Sequence, residues 1–257
     1  MERERRLKVF GLDGDKSTAC DGQSRESNLG PGFLAINYPP CRFYKHELDS
    51  RAMAWKKRRS RLNDIAEGLV KVGAIQFGTF TLPGGKDSAY YINLRGLPSY
   101  PGVYGMVVDA LSDLVTKKVP KADAFCAVPL TGLLLASPLA VAQRKPLVYT
   151  RMEKQENERL VEGEVRPGWN VVVVGDLATT GGTIISAADT IRDEGGKVGA
   201  AVVLIDRMEG ARERLSKDGI TLHAVTDMVE LADTLFSMEL ISKDNLKAIT
   251  KSAGGRQ

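Results

Sequence analysis

From residue 120 onward, short and wholly apolar runs alternate with helical stretches, and this pattern narrows the possible folds more than any other feature. Residues 124–128, 147–150, 170–174 and 198–205 are rich in Val, Ile, Leu and Ala and too short to be helices. A strand with one wet face alternates apolar and polar residues; an unbroken apolar run means burial on both faces. The stretches 133–143 and 183–194 between them have helical spacing. Strands joined through helices give a parallel sheet flanked by helices, so the expected class is α/β. Ligands of such sheets bind beyond the carboxyl ends of the strands. The loops beginning at Pro129, Arg151, Gly175 and Asp206 are therefore the candidates for a site.

Before the sheet, Leu62, Ile65, Ala66, Leu69 and Val72 recur at helical spacing, and Gly73 closes that helix. Residues 77–82 and 90–94 are expected to pair as strands around a turn at 83–87, followed by a helix over about 100–116. Residues 228–251 have the pattern of two terminal helices. His223 lies in a strand-like run, 220–225, and is expected to be a packed structural residue.

Residues 1–59 lack periodicity and are rich in Gly, Pro, Ser and charge, the composition of a disordered extension. The extension is basic: residues 1–61 hold 14 Lys/Arg against 8 Asp/Glu, whereas the remainder holds 22 against 24. The cluster Lys56-Lys57-Arg58-Arg59-Ser60-Arg61 is expected to be a solvated helix entry, with nucleic-acid contact the less favoured alternative. Residues 60–253 then form the domain, with a small hood over about 60–98 and a core over about 99–253.

Several function classes are excluded. No apolar run approaches the roughly 18 residues of a membrane span, and Ser137 and Pro138 break the greasiest segment. No membrane association and a cytoplasmic location are expected. Glu2, Glu4, Asp13 and Asp15 are wrong for an organellar leader. Cys20, Cys41 and Cys126 have no paired spacing, and with His46 and His223 as the two histidines a zinc site is not expected. Gly84-Gly85-Lys86-Asp87 is too short for a nucleotide phosphate loop and lacks its hydroxyl.

One loop carries chemistry. Val171-Val172-Val173-Val174 runs into Gly175-Asp176-Leu177-Ala178-Thr179-Thr180-Gly181-Gly182-Thr183, which opens a helix. Glycines and small hydroxyl residues leave backbone N–H groups exposed, and a helix start adds partial positive charge, so the loop suits a phosphate. Asp176 at its head suits sugar hydroxyls or a magnesium-bound sugar. By composition alone, a glycine-rich turn that binds nothing stays open beside this reading.

The stretch resembles the signature for 5-phosphoribosyl-1-diphosphate (PRPP) of type I phosphoribosyltransferases. Over residues 60–253 the chain is similar to the orotate branch of that family. Phe80-Thr81-Leu82, Gly85, Ser88, Tyr91 and Asn93-Leu94-Arg95 resemble its hood, and Ala127-Val128-Pro129-Leu130-Thr131-Gly132 its diphosphate loop. Leu147-Val148-Tyr149-Thr150-Arg151 and Leu160-Val161-Glu162-Gly163 resemble the rims of its mobile catalytic loop, and Asp206-Arg207-Met208-Glu209-Gly210-Ala211 its segment after the next strand. The resemblance implies a parallel sheet with a hood, and transfer of the phosphoribosyl group from PRPP to orotate. It also implies Mg2+ as cofactor and a homodimer. Asp176 would hold ribose hydroxyls and magnesium indirectly. Ala178, Thr179, Thr180, Gly181, Gly182 and Thr183 would cradle the 5′-phosphate. Thr131, Gly132 and Arg151 would meet the diphosphate. Thr179, Tyr91 and Arg207 would receive orotate, Arg207 through its carboxylate. Asp176, Arg151 and Lys154 would be the catalytic set.

The sequence departs from the family at three places. Gly175 replaces the first of two adjacent acids, predicting a lost ribose contact. The loop Arg151-Met152-Glu153-Lys154-Gln155-Glu156-Asn157-Glu158-Arg159 has Met152 for a Lys, is about two residues short and lacks a His. Pro83 stands where some members carry a Lys. These departures leave two alternatives: a PRPP-binding protein of weakened turnover, and a transferase for another base, which Arg207 disfavours.

Overall fold

The computed structural model describes residues 61–81, 87–151 and 160–253. The extension 1–59, the basic cluster at 56–59, Pro83, Met152 and Lys154 lie outside these residues.

Helix α1 (Arg61–Lys71) buries Ile65, Ala66, Gly68 and Leu69, the stripe its spacing predicts. Its last turn closes as Ala74 donates to the Leu69 carbonyl at 2.9 Å, with Gly73 at φ 68°. Strands β1 (Ile75–Thr81) and β2 (Asp87–Ile92) form the antiparallel hairpin. Both begin earlier in the chain than 77–82 and 90–94, and the register slips between Phe77 and Phe80, an irregularity that alternation alone does not reveal.

The core is one sheet with strand order β5-β4-β3-β6-β8-β9. Its members are β3 (Ala124–Ala127), β4 (Leu147–Thr150), β5 (Val161–Glu162), β6 (Asn170–Val174), β8 (Lys197–Asp206) and β9 (Thr221–Asp227). A two-residue strand, β7 (Leu177–Ala178), pairs with the far end of β8 beyond β6. All pairings are parallel except that of the edge strand β5 with β4. The chain leaves β3 towards β4 on one side and later returns to β6 on the other. That reversal places the topological switch point between β3 and β6.

Each apolar strand feeds two layers. On one face Phe125, Val172, Val174 and Leu204 pack with α1, α2 (Pro101–Lys118), α3 (Thr131–Gln143), α6 (Met228–Ser237) and α7 (Lys243–Ala253). On the other, Cys126, Val171, Val173 and Ala201 pack with α4 (Gly182–Asp193) and α5 (Ala211–Lys217). Phe125 is fully buried, and truncating such a ring to Ala costs about 3–5 kcal/mol. His223 lies half-buried in β9, its pKa lowered by burial and then by Lys118 and Arg212.

Helix α3 runs through Pro138, which cannot donate to the Leu134 carbonyl one turn earlier. The Tyr104 hydroxyl of α2 donates to that carbonyl instead. Helix α5 and strands β5 and β7 had no signal in the sequence pattern: α5 buries Ala211 and Leu215 alone, and two-residue strands have no period.

Candidate active site

The chain leaves β6 at Val174, passes Gly175 and Asp176, and rejoins the sheet through β7. The Asp176 carbonyl accepts from the amides of Leu204 (3.1 Å) and Ile205 (3.2 Å). Residues 179–181 then turn into α4, whose cap is Gly181 at φ 78°, ψ −1°. No side chain caps this helix and no acid lies in its first turn, so its leading N–H groups are kept for an anion. Thr180 and Thr183 are exposed and Thr179 is half-buried. A side chain at position 181 would be strained at this φ and would meet Leu215 Cγ at 3.1 Å.

Asp176 is the acid of the loop. The Leu177 amide, its own amide and the Thr131 hydroxyl lie close enough to favour its charged form, and Arg95 adds positive potential. Burial outweighs these effects and raises its pKa above the usual carboxylate value.

Thr131 and Gly132 begin α3 on the other side of the switch point. A Cβ at Gly132 would lie 2.5 Å from Val128 Cγ2, 2.8 Å from the Val174 carbonyl oxygen and 3.4 Å from the Gly175 Cα. The two phosphate-side loops therefore touch backbone to backbone. Leu130, just before, has φ 64° and ψ −97° and is 66% exposed, a strained conformation of the kind concentrated at ligand loops.

Gly175 has no positive φ, and a Cβ there would sit 3.4 Å from both Val128 Cγ2 and Val203 Cγ1. Both valines belong to the apolar layer under α4, so a side chain at 175 sets out into packing, not towards the Asp176 carboxylate partners.

Arg151 ends β4. Its amide donates to the Leu160 carbonyl at 2.8 Å, and its guanidinium pairs with Glu162 on β5. This pair closes the base of segment 152–159.

Arg207 follows β8, and its amide donates to the Ala178 carbonyl at 2.9 Å. The turn is held by the fully buried Asp206, which accepts from the Met208 amide at 2.9 Å and from Arg212. Met208 takes φ 60° there. The Arg207 guanidinium lies 5.0 Å from the Tyr90 ring centroid and 2.9 Å from Glu209 Oε1, with side chains 12% and 19% exposed. Arg207 Nε and the Tyr90 hydroxyl are buried without a hydrogen-bond partner. Burial raises the Tyr90 pKa, against the neighbouring guanidinium.

The structure thus places Thr131 and Gly132 beside Gly175 and Asp176, at the head of the stretch that continues through Ala178, Thr179, Thr180, Gly181, Gly182 and Thr183 into α4, and joins Arg207 to that stretch through the backbone. The aromatic residue under Arg207 is Tyr90, whereas Tyr91 leaves the opposite face of β2 and tilts against Phe80 (centroids 5.7 Å apart, planes at 31°). Adjacent residues of a strand face opposite ways, so the sequence offers two tyrosines and no means to rank them. Glu209 and the Thr131–Asp176 contact were also missed: the first is a local pairing set by the conformation of its turn, the second a tertiary one, and neither has a spacing signature. Among the described residues no three His, Cys, Asp or Glu side chains cluster to hold a metal ion.

A glycine- and threonine-rich loop from strand to helix at the switch point of a parallel sheet suits a phosphate, and residues 107–232 match the phosphoribosyl transferase domain family, which places the chain in the phosphoribosyltransferase class. The chain is 41% identical over 181 residues to the orotate phosphoribosyltransferase of Cenarchaeum symbiosum, covering 69% of this chain and 90% of that one. Among solved structures, it is similar to the orotate phosphoribosyltransferase of Aeropyrum pernix (TM-score 0.60, 35% identity, 67% of this chain and 99% of that one). It also resembles Leishmania donovani UMP synthase (TM-score 0.70, 30% identity, 84% of this chain), about half of whose length it spans, 47%. The chain belongs to the orotate phosphoribosyltransferase family.

Proposed function

We propose that this chain transfers the phosphoribosyl group of PRPP to orotate, giving orotidine 5′-monophosphate and diphosphate. The observation that carries the proposal is the uncapped loop 175–183 with its half-buried acid, joined by one backbone hydrogen bond to a largely desolvated arginine. The bond from ribose C1′ to the diphosphate oxygen breaks as the bond from C1′ to the orotate ring nitrogen forms.

Each half of the site has its task. The amides at the start of α4, with Thr179, Thr180 and Thr183, seat the 5′-phosphate. Asp176 accepts from ribose hydroxyls, already oriented by Thr131. The loop Thr131–Gly132 faces the diphosphate, and Arg151 and Lys154 supply cations as negative charge grows on the leaving group. Arg207 takes the orotate carboxylate.

One carboxylate with hydroxyls is a poor cage for a free metal ion but fits magnesium that arrives on the oxygens of PRPP. When bound, magnesium would neutralise diphosphate charge, and Asp176 is the residue that would help to hold it. The active form is proposed to be a cytoplasmic homodimer, a reading that rests on family resemblance; sedimentation checks the dimer. No helix among the described residues is long and apolar enough to cross a membrane.

Following orotate absorbance with the full chain, PRPP and magnesium tests the activity. A PRPP- and magnesium-dependent loss of orotate supports it, and folded protein that leaves orotate unchanged refutes it.

A further inference from the structure

We propose that Arg214, on α5, is a substrate-binding residue for the 5′-phosphate: its guanidinium stands beside the start of α4 and supplies the positive charge that the loop 175–183 lacks. The inference rests on the reading that this loop seats the 5′-phosphate of PRPP and of the product.

The need follows from the residues of the loop. Positions 175–183 hold one acid, Asp176, and no Lys or Arg. They offer a phosphate backbone N–H groups and threonine hydroxyls, and the helix start adds roughly half a positive charge. A phosphate monoester carries about 1.5–2 negative charges at neutral pH. A cation from another element therefore has a large share of that charge to balance.

Helix α5 is packed to bring one there. A Cβ at Gly181 would lie 3.1 Å from Leu215 Cγ and 3.5 Å from the Ala211 carbonyl oxygen, so α5 presses directly on the turn into α4. Ala211 and Leu215 are the buried residues of α5, and Arg214, next to Leu215, is exposed. Its Nη1 would lie 3.5 Å from a Cβ at Gly182, the first residue of α4, and the Thr180 hydroxyl oxygen 3.9 Å from the same point. Covalent geometry then keeps Nη1 within about 6 Å of the Gly182 amide nitrogen. A phosphate spans that gap by accepting through two of its oxygens.

The charge is also uncommitted. Among the described residues Arg214 makes no ion pair and no side-chain hydrogen bond. Two other arginines of this region are engaged: Arg212 with Asp206, and Arg192 with Asp189 and Asp218. A free guanidinium beside an uncapped helix start can give a phosphate two parallel N–H donors without breaking an existing bond.

The test is calorimetry on the full chain with three probes: PRPP with magnesium, orotidine 5′-monophosphate, and diphosphate with magnesium. The first two carry the 5′-phosphate and the third does not. Arg214→Ala should weaken PRPP and orotidine 5′-monophosphate alike, by about tenfold, the size of one lost charge-assisted contact. Diphosphate binding and the melting temperature should stay unchanged. Arg214→Lys keeps the charge without the fork and should recover part of the loss. Added salt should narrow the gap between wild type and Arg214→Ala, because an exposed charge is screened. Unchanged affinity for both 5′-phosphate probes overturns the proposal. A loss confined to PRPP, or shared with diphosphate, also overturns it, since either would put the guanidinium on the leaving group. If folded wild-type protein binds neither PRPP nor orotidine 5′-monophosphate, the reading of the loop has failed and this proposal with it. If wild type binds both and Arg214→Ala binds them equally well, that reading stands and the role of Arg214 alone is wrong.

Discussion

The proposed phosphate side of the site consists largely of backbone, drawn from residues 175–183 and from Thr131–Gly132, whereas the proposed base side consists of side chains supplied by β2 and by the turn after β8. The first needs small residues in particular conformations, such as Gly181 at φ 78° and Gly132 against the Val174 carbonyl. The second needs a desolvated charge to be braced by its neighbours. The contrast teaches that substitutions on the two sides should fail differently: steric damage on the phosphate side, lost charge and orientation on the base side.

The largest effect should come from the base side. Arg207→Ala should weaken orotate by roughly 2–5 kcal/mol, the loss typical of one partner of a desolvated charge pair. Calorimetry should show PRPP binding almost unaltered; equal losses for both ligands would erase the division between the sides. Next, Gly132→Ala should destabilise the protein by about 1–3 kcal/mol through overpacking, since its Cβ would press on a backbone carbonyl. Its melt should fall together with PRPP affinity. Gly181→Ala should follow, at about 1–2 kcal/mol for an L-residue held in the left-handed region.

Asp176→Asn sharpens the comparison by setting stability against binding. Its carboxyl has a raised pKa, so protonation is favoured in the folded state; the charged form costs stability once pH rises through the folded value, and the cost is absent below the unfolded value. At neutral pH, Asp176→Asn should therefore raise ligand-free stability by up to about 1 kcal/mol while weakening PRPP. Melts repeated at acidic pH should show the advantage shrinking. The smallest effect is expected at Gly175, where a Cβ makes ordinary contacts and φ is not positive. Gly175→Ala should stay within about 0.5 kcal/mol in the melt, and a larger loss would show that the apolar layer there has no slack.

The same contrast explains what could be read from the sequence. The strand Val171-Val172-Val173-Val174, the glycines and threonines after it, and the α/β class follow from local pattern, because a strand–loop–helix unit is contiguous. Arg207 was located by resemblance, but its partners were not. Whether Tyr90 or Tyr91 lies beneath it depends on which face of β2 meets the core, and its pairing with Glu209 depends on a turn fixed by Asp206 and Arg212. The Pro138 gap filled by Tyr104 belongs to the same kind: a local rule is broken and a residue from another helix repairs it.

The amide of Arg207 donates to the carbonyl of Ala178, between the acid and the threonines of the phosphate loop. That proton is consequently a reporter placed on the seam between two binding events. Its exchange with solvent deuterium slows when either the loop or the arginine turn is ordered, and most when both are. Protection at this single backbone position, compared with each substrate alone and with both, should therefore show whether the two binding events reinforce one another without any chemistry taking place.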